Sequence, residues 1–341
     1  MNLETRPFLQ SDAEEVVAVA NANWPDHPIS GEELLFKDAH QDPKCFFGRW
    51  VVEREGRVIA FADLCQMAIM YHPHKYAYDV QVLPDCQCQG IGSFLHELLL
   101  GILGKREALS ARTWTHSTHV NALDFLQHRG FVEDMRSWDS TLEVENFDFT
   151  PYQGLTEKLE AEGFLIRSFR QLEEDPRRNA KIYDLLCEVT RDIPLPEKST
   201  PYSPELFESW LQDPSLLPDG YLLMAKGDRC VGLSNLWTVS DQPHHLRQGL
   251  TGVRRDCRHK GIALALKLAG IRFCQTYGAT RITTSNEIHN QPMLSLNEKL
   301  GFIKQAAWIS LKKVLREETL LFREKREAGE GIIQDAERKD D

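Results

Sequence analysis

No run of apolar residues in this 341-residue chain approaches the roughly 20 needed to cross a membrane. Its first eight residues (MNLETRPF) lack the basic and apolar regions of a secretory signal. Cysteine is sparse: eight residues are too few for a disulfide scaffold, and no Cys-x-x-Cys pair occurs. Cys86 and Cys88 are separated by a single residue, closer than zinc ligands usually stand. Reduced thiols in a cytoplasmic protein, with no metal site, are the expectation. Positive charge is also in deficit, with 40 Lys and Arg against 51 Asp and Glu and a net charge of −11. That balance argues against a general nucleic-acid binder and favours cationic or neutral small substrates. Two phosphate signatures are missing. Gly-x-x-x-x-Gly-Lys-Ser/Thr does not occur, and Leu95 stands where a dinucleotide fingerprint after Gly90 and Gly92 needs a third glycine.

The remaining composition is ordinary, with 42% apolar and 27% charged residues, and the length fits about two globular domains. An internal repeat makes that count specific. Residues 90–131 set against 261–302, an offset of 171, match without a gap at Gly90/Gly261, Ile91/Ile262, Leu95/Leu266, Ala108/Ala279, Thr113/Thr284, Leu123/Leu294, Gly130/Gly301 and Phe131/Phe302. Chance gives on the order of two or three matches. The chain therefore reads as two copies of one unit, copy one over 1–150 and copy two over 160–316. A linker near 147–160 carries Pro151 and Gly154, and the tail at 323–341 is highly charged and expected to be disordered.

Each copy presents the same order of elements. In copy one, strands are expected at 3–6, 50–53, 58–65, 76–83 and 109–115, with helices at 11–22 and 120–129. Between them, Ile91, Phe94, Leu95, Leu98, Leu99 and Ile102 recur at the spacing of an amphipathic helix. Copy two repeats the pattern with strands at 220–226, 230–238, 246–253 and 280–285 and helices at 262–276 and 291–299. Helices alternating with strands in this way indicate a mixed α/β sheet.

The chemistry begins at the loop before each long helix. Copy one reads Val82-Leu83-Pro84-Asp85-Cys86-Gln87-Cys88-Gln89-Gly90-Ile91-Gly92-Ser93, and copy two Val253-Arg254-Arg255-Asp256-Cys257-Arg258-His259-Lys260-Gly261-Ile262-Ala263. The first turn of a helix offers free N–H groups and a partial positive charge, which suit a phosphate. Small residues at Gly90, Gly92, Gly261 and Ala263 let one approach the backbone. The same glycines could instead only shape a tight turn, but two copies in equivalent places favour the phosphate reading.

These loops, each followed by a helix ending in Gly-Phe, resemble the GNAT acetyltransferase superfamily. Copy two is the fuller match, adding Asn290-x-x-Met293-x-x-x-Asn297-x-x-x-Gly301-Phe302. In layout the chain is similar to tandem members such as mycothiol synthase. The resemblance implies two GNAT-like domains, each a mixed, mostly antiparallel sheet flanked by helices. It implies acetyl transfer from acetyl-CoA, as co-substrate, to the amine of a small molecule in a ternary complex, by a monomer or homodimer. It places the backbone of Val82 and Val253 beside the pantetheine and thioester, and Asn290 on the pantetheine arm. The pyrophosphate would lie on Gln87, Cys88, Gln89, Gly90, Ile91, Gly92 and Ser93, and on Arg258, His259, Lys260, Gly261, Ile262 and Ala263.

The departures concern catalysis. Family members often carry a Glu five or six residues before the Val as general base. Those positions hold Arg247 and Gln248 in copy two, and Tyr76 and Ala77 in copy one. A Tyr four residues before Gly-Phe is often the general acid, where this chain has Asn297 and Leu126; His119 replaces Asn290 in copy one. Copy two keeps more of the pattern and is expected to be the catalytic half, with Glu287 and Asn297 as candidate catalytic residues. Asp79 is a second candidate base, and His244 and His245, at an expected hairpin tip, could relay a proton. Acceptor specificity is expected from 23–28 in copy one and from 192–196 and 202–210 in copy two. A catalytically silent CoA-binding or structural tandem protein is the alternative.

Overall fold

The computed structural model describes residues 4–318. The charged tail at 323–341 lies outside the described residues. Copy one contains β1 (Glu4–Pro7), α1 (Ala13–Asn23), α2 (Gly31–Ala39), β2 (Phe47–Arg54), β3 (Arg57–Cys65), β4 (Lys75–Val82), α3 (Ile91–Lys105), β5 (Ser110–His116), α4 (Val120–Gln127) and β6 (Val132–Glu143). A linking helix α5 (Leu155–Ala161) leads into copy two. Copy two contains β7 (Phe164–Ser168), α6 (Arg178–Val189), α7 (Pro204–Trp210), β8 (Leu216–Lys226), β9 (Arg229–Thr238), β10 (His245–Val253), α8 (Ile262–Tyr277), β11 (Arg281–Glu287), α9 (Gln291–Lys299) and β12 (Ile303–Val314). The mixed α/β architecture, mostly antiparallel and flanked by helices, is the one the sequence implies.

All twelve strands join one sheet in the order β1-β2-β3-β4-β5-β12-β6-β11-β10-β9-β8-β7. The two units therefore exchange their last strands. β12, the end of copy two, pairs with β5 of copy one, while β6, the end of copy one, pairs with β11 of copy two. β6 and β12 also pair with each other, antiparallel. The sequence pattern does not foresee either strand: β6 carries five charged residues in twelve and no clean alternation. Among the described residues, no helix is long and apolar enough to cross a membrane. All eight cysteines are free thiols.

Helices cover both faces of the sheet. In copy one, Val51 and Phe61 meet α1 and α2, while Val52, Ala60 and Ala62 lie under α3. On α3 the buried stripe is Ile91, Leu95, Leu99 and Leu103, one residue per turn. Copy two repeats the arrangement, with Leu223 against Ile182 and Leu185 of α6, and Leu222 and Met224 against Ile262 and Leu266 of α8. Each long helix also buries one titratable side chain at the same repeat position. His96 on α3 hydrogen-bonds Tyr78 Oη at 3.0 Å, and Lys267 on α8 donates to Gln248 Oε1.

Candidate active site

Each copy has a wedge in the sheet. β4 and β5 are parallel and pair only at Lys75↔Ser110, Tyr76↔Ala111 and Ala77↔Arg112. β10 and β11 pair only at His245↔Arg281, Leu246↔Ile282 and Arg247↔Thr283. Beyond these pairs the strands part, and the flanks facing each wedge keep backbone donors and acceptors for an extended guest. β5 and β11 run in opposite directions, so the wedges open at opposite ends of the sheet. Val82 and Val253 are the last residues of the parted strands β4 and β10. Copy two's strand has a register shift between Gln248 and Thr251, whereas β4 pairs with β3 without interruption.

At the mouth of each wedge the chain turns into its long helix through two left-handed residues. They are Cys88 (φ 57°) and Gly90 (φ 86°) in copy one, and His259 (φ 62°) and Gly261 (φ 88°) in copy two. This repeated geometry curls the backbone into a concave, anion-accepting turn ahead of the N-termini of α3 and α8. Gln87 Nε2 donates to the Val82 carbonyl at 3.1 Å and to Asn23 Oδ1 at 3.0 Å. Arg258 Nε donates to the Val253 carbonyl at 3.0 Å, and its guanidinium also pairs with Asp192. Both side chains thus brace the loop to its strand. Ser93 Oγ accepts from Arg129 at 2.8 Å, so Arg129 places a cation beside copy one's loop. The sequence gives no signal for Arg129, because its repeat partner is Leu300.

The copies differ in access. A Cβ on Gly90 would meet nothing within 4 Å, whereas one on Gly261 would lie 2.9 Å from Cδ1 of Leu155 on α5. The linking helix thus covers one side of copy two's loop. His259 and Lys260 are exposed. Glu287 is buried and accepts hydrogen bonds from the His289 backbone N–H at 2.7 Å and from His289 Nδ1 at 2.6 Å. Asn290 caps α9. Asn297 is buried and donates to Asn286 at 2.6 Å, while its Oδ1 has no hydrogen-bond partner. That buried acceptor and the unpaired strand flanks fit a pantetheine arm. Gln248 is turned into the core, donating to Ser234 Oγ at 3.0 Å.

Asp79 lies opposite Asp63 on the α1–α2 face and accepts from Gln81 at 2.6 Å; burial pushes its carboxyl up to about 6. His244 is exposed, as its hairpin-tip placement implies, but His245 is only 5% exposed. His245 is held by Gln242 at 2.7 Å and Thr283 at 2.8 Å. The tip packs against copy one, where Gln242 donates to the Pro25 carbonyl.

A cavity of about 480 Å³ opens at the mouth of copy one's wedge. Trp24, Asp26 and His27 from the α1–α2 loop line it, as do His116, the last residue of β5, and His119 just beyond it. Copy two contributes His245, Arg281 and Thr283 from the beginnings of β10 and β11, and Gln305 from β12. The Trp24 ring stacks on His119 with centroids 4.4 Å apart and lies 4.6 Å from Trp308. Desolvation, with His116 nearby, lowers the His119 imidazole below its ordinary value.

The 171-residue offset places the corresponding region of copy two among Arg112, Asp134, Ser310 and Lys312, with Glu197 entering from the α6–α7 loop. Glu197 accepts from Lys312 at 2.6 Å, Lys75 at 2.9 Å and Arg112 at 3.3 Å. Arg112 also holds Asp134 at 2.6 Å and Ser310 at 2.7 Å. Ion pairs occupy the place that neutral Thr141, Thr283 and Gln305 leave open in copy one.

The comparisons with known proteins bear on the fold and the family. A tandem GNAT protein from the clavulanic acid biosynthesis pathway, solved without AcCoA, has 16% identity and a TM-score of 0.70, over 93% of this chain and 100% of the other. A GCN5-related N-acetyltransferase from Sphaerobacter thermophilus has 18% identity and a TM-score of 0.65, over 93% and 97%. At these identities the likeness is one of fold. No curated protein matches the sequence significantly. The family model described as Acetyltransferase (GNAT) family matches twice, over 13–131 and 181–302, each match stopping just before an exchanged strand. This chain, in both of its repeated units, belongs to the GNAT acetyltransferase family.

Proposed function

We propose that the protein moves an acetyl group from acetyl-CoA to the amine of a small molecule, by direct attack in a ternary complex, and that the acceptor enters through copy one. The observation that carries this reading is the cavity at the mouth of copy one's wedge, whose counterpart in copy two is filled by the Glu197 ion pairs. Copy two keeps more of the family's sequence pattern, but its Glu287 and Gln248 are committed to neighbours within the fold.

In copy one, the α3 N-terminus, the Cys88–Gly90 turn and Arg129 would hold the pyrophosphate, and the unpaired flanks of β4 and β5 the pantetheine. The co-substrate supplies the acetyl thioester. The amine nitrogen bonds to the acetyl carbonyl carbon, the carbon–sulfur bond breaks, one amine proton leaves, and the departing thiolate takes up a proton. Of the titratable groups lining the cavity, His119 and His116, at the end of β5, are assigned to accept the amine proton. An imidazole lowered below its ordinary value stays neutral, and so able to accept, across the physiological range.

A thiol-release assay with acetyl-CoA against an amine panel tests the reading. The expected result is turnover that falls at least tenfold in His119→Ala and His116→Ala, with Asp79→Asn much less affected. CoA binding with no amine turned over would instead support a silent CoA-binding protein, the reading favoured by the missing Glu and Tyr.

A further inference from the structure

The cavity carries charge of both signs in separate places. Asp139 is its inner carboxylate, with a side chain 15% exposed. Its Oδ2 accepts from Trp308 Nε1 at 2.9 Å and lies 3.4 Å from His27 Nε2; no hydrogen bond between described residues uses Oδ1. Trp308 meets it through its ring N–H, and Trp24, stacked on His119, lies against Trp308. A carboxylate with one oxygen left over at the inner end of a cavity recognises an ammonium by charge and hydrogen bonding.

On the copy-two wall, Arg281 donates to Gln242 Oε1 at 3.0 Å and lies 3.2 Å from His245 Nδ1. Both partners are neutral: burial and the neighbouring Arg281 lower the His245 imidazole to about 4. Among the described residues Arg281 makes no ion pair, although it is half-buried in an acidic protein whose other buried arginines, Arg49, Arg112 and Arg254, each hold two carboxylates. A guanidinium fixed by neutral partners and facing a cavity is arranged to take a carboxylate or similar anion from a ligand.

We infer that the acceptor is an amine that also carries an anionic group, of the kind an amino acid presents. Asp139 reads the amine end, and Arg281, from the other repeat, reads the anion. The inference rests on the proposed function and adds the acceptor's class. It also makes the site composite, since the exchanged strands bring β11 of copy two to copy one's acceptor cleft.

The test pairs L-phenylalanine with phenethylamine and L-lysine with cadaverine as acceptors. Each pair differs in the carboxylate alone. The expected result is a kcat/KM at least tenfold higher for the amino acid of at least one pair, a ratio that collapses toward one in Arg281→Gln through KM and is partly kept in Arg281→Lys. Turnover without preference, or a ratio unchanged in folded Arg281→Gln, overturns the inference while leaving the acetyltransferase reading in place. Where no acceptor is turned over, calorimetry with CoA and each amino acid decides. Amino-acid binding that is lost in Arg281→Gln keeps the site and overturns only the catalytic reading; no binding overturns both. Should Arg281→Gln fail to fold, Arg281→Lys and Asp139→Asn carry the same comparisons.

Discussion

The Glu197 carboxylate accepts from Lys75 Nζ at 2.9 Å, tying the α6–α7 loop of copy two to the first residue of β4 in copy one. Lys312 and Arg112 complete the cluster. Burial acts to raise this carboxyl, but Lys312 and Lys75 hold it at about 2, well below its ordinary 4.5. A depressed carboxyl contributes stability that is present above the unfolded value and lost as pH falls from about 4.5 through 2. Glu197→Gln should therefore destabilise the protein at neutral pH by about 1–3 kcal/mol, leaving three cations short of a counter-charge, and should flatten part of the acid limb of a stability–pH curve. Urea unfolding between pH 3 and 7 checks both. Acetyl transfer should survive, because the cluster lies in the closed cleft; loss of turnover in a folded variant would place the acceptor in copy two.

Much of this was legible in the sequence, for physical reasons that can be named. The turns ahead of α3 and α8 follow from local constraints, since the left-handed residue at each helix start is a glycine and a buried helix stripe demands its spacing. Both constraints recur 171 residues on. The strand exchange is non-local. β6 and β12 are chosen by pairing with the other copy, and a strand that spans a junction between units need not alternate cleanly. The charge of the two clefts was hidden for the same reason. Arg112 and Thr283 are repeat partners, yet each works in the cleft of the other copy. His245 reads as part of an exposed tip because Thr283, which holds it, is 38 residues away, and the Pro25 carbonyl that anchors the tip through Gln242 is 217 residues away.

Lys267 offers a prediction about stability alone. It is 1% exposed, donates to Gln248, and burial lowers its ammonium to about 7 from 10.5. Between those two values the unfolded chain holds more protons than the native one, so stability should climb as pH rises from about 7 toward 10.5. Lys267→Met should remove that climb and raise stability at pH 7 by about 1–3 kcal/mol, an apolar side chain of similar length having no desolvation cost. Thermal unfolding at pH 7 and at pH 9.5 measures it. A wild-type midpoint no higher at pH 9.5 would contradict the account.

The exchanged strands predict that the halves do not stand alone. β12 lies between β5 and β6, with Trp308 opposite His116 on one side and Ala307 opposite Trp138 on the other. Residues 1–146 produced alone would expose both edges to pairing with other chains. The expected outcome is self-association by light scattering. Producing 1–146 together with 147–341 should restore a one-to-one complex. Two folded monomeric halves would show the exchange to be dispensable.

The phosphate turns give the sharpest comparison of the copies. Gly90 and Gly261 have nearly the same left-handed φ, so valine at either should cost about 1–2 kcal/mol in backbone strain. Their surroundings differ. A side chain at 90 projects into the open space above copy one's turn, whereas one at 261 meets the flexible end of Leu155. If acetyl-CoA works from copy one, Gly90→Val should raise its KM or abolish turnover, while Gly261→Val should lower the melting temperature by a similar amount and keep most activity. Steady-state kinetics in acetyl-CoA, with melting temperatures to match the strain, separate these effects. Loss of activity confined to Gly261→Val would return the chemistry to copy two, whose sequence keeps more of the family pattern. Equal loss from both, with both folds intact, would mean that the two turns hold cofactor for a shared reaction.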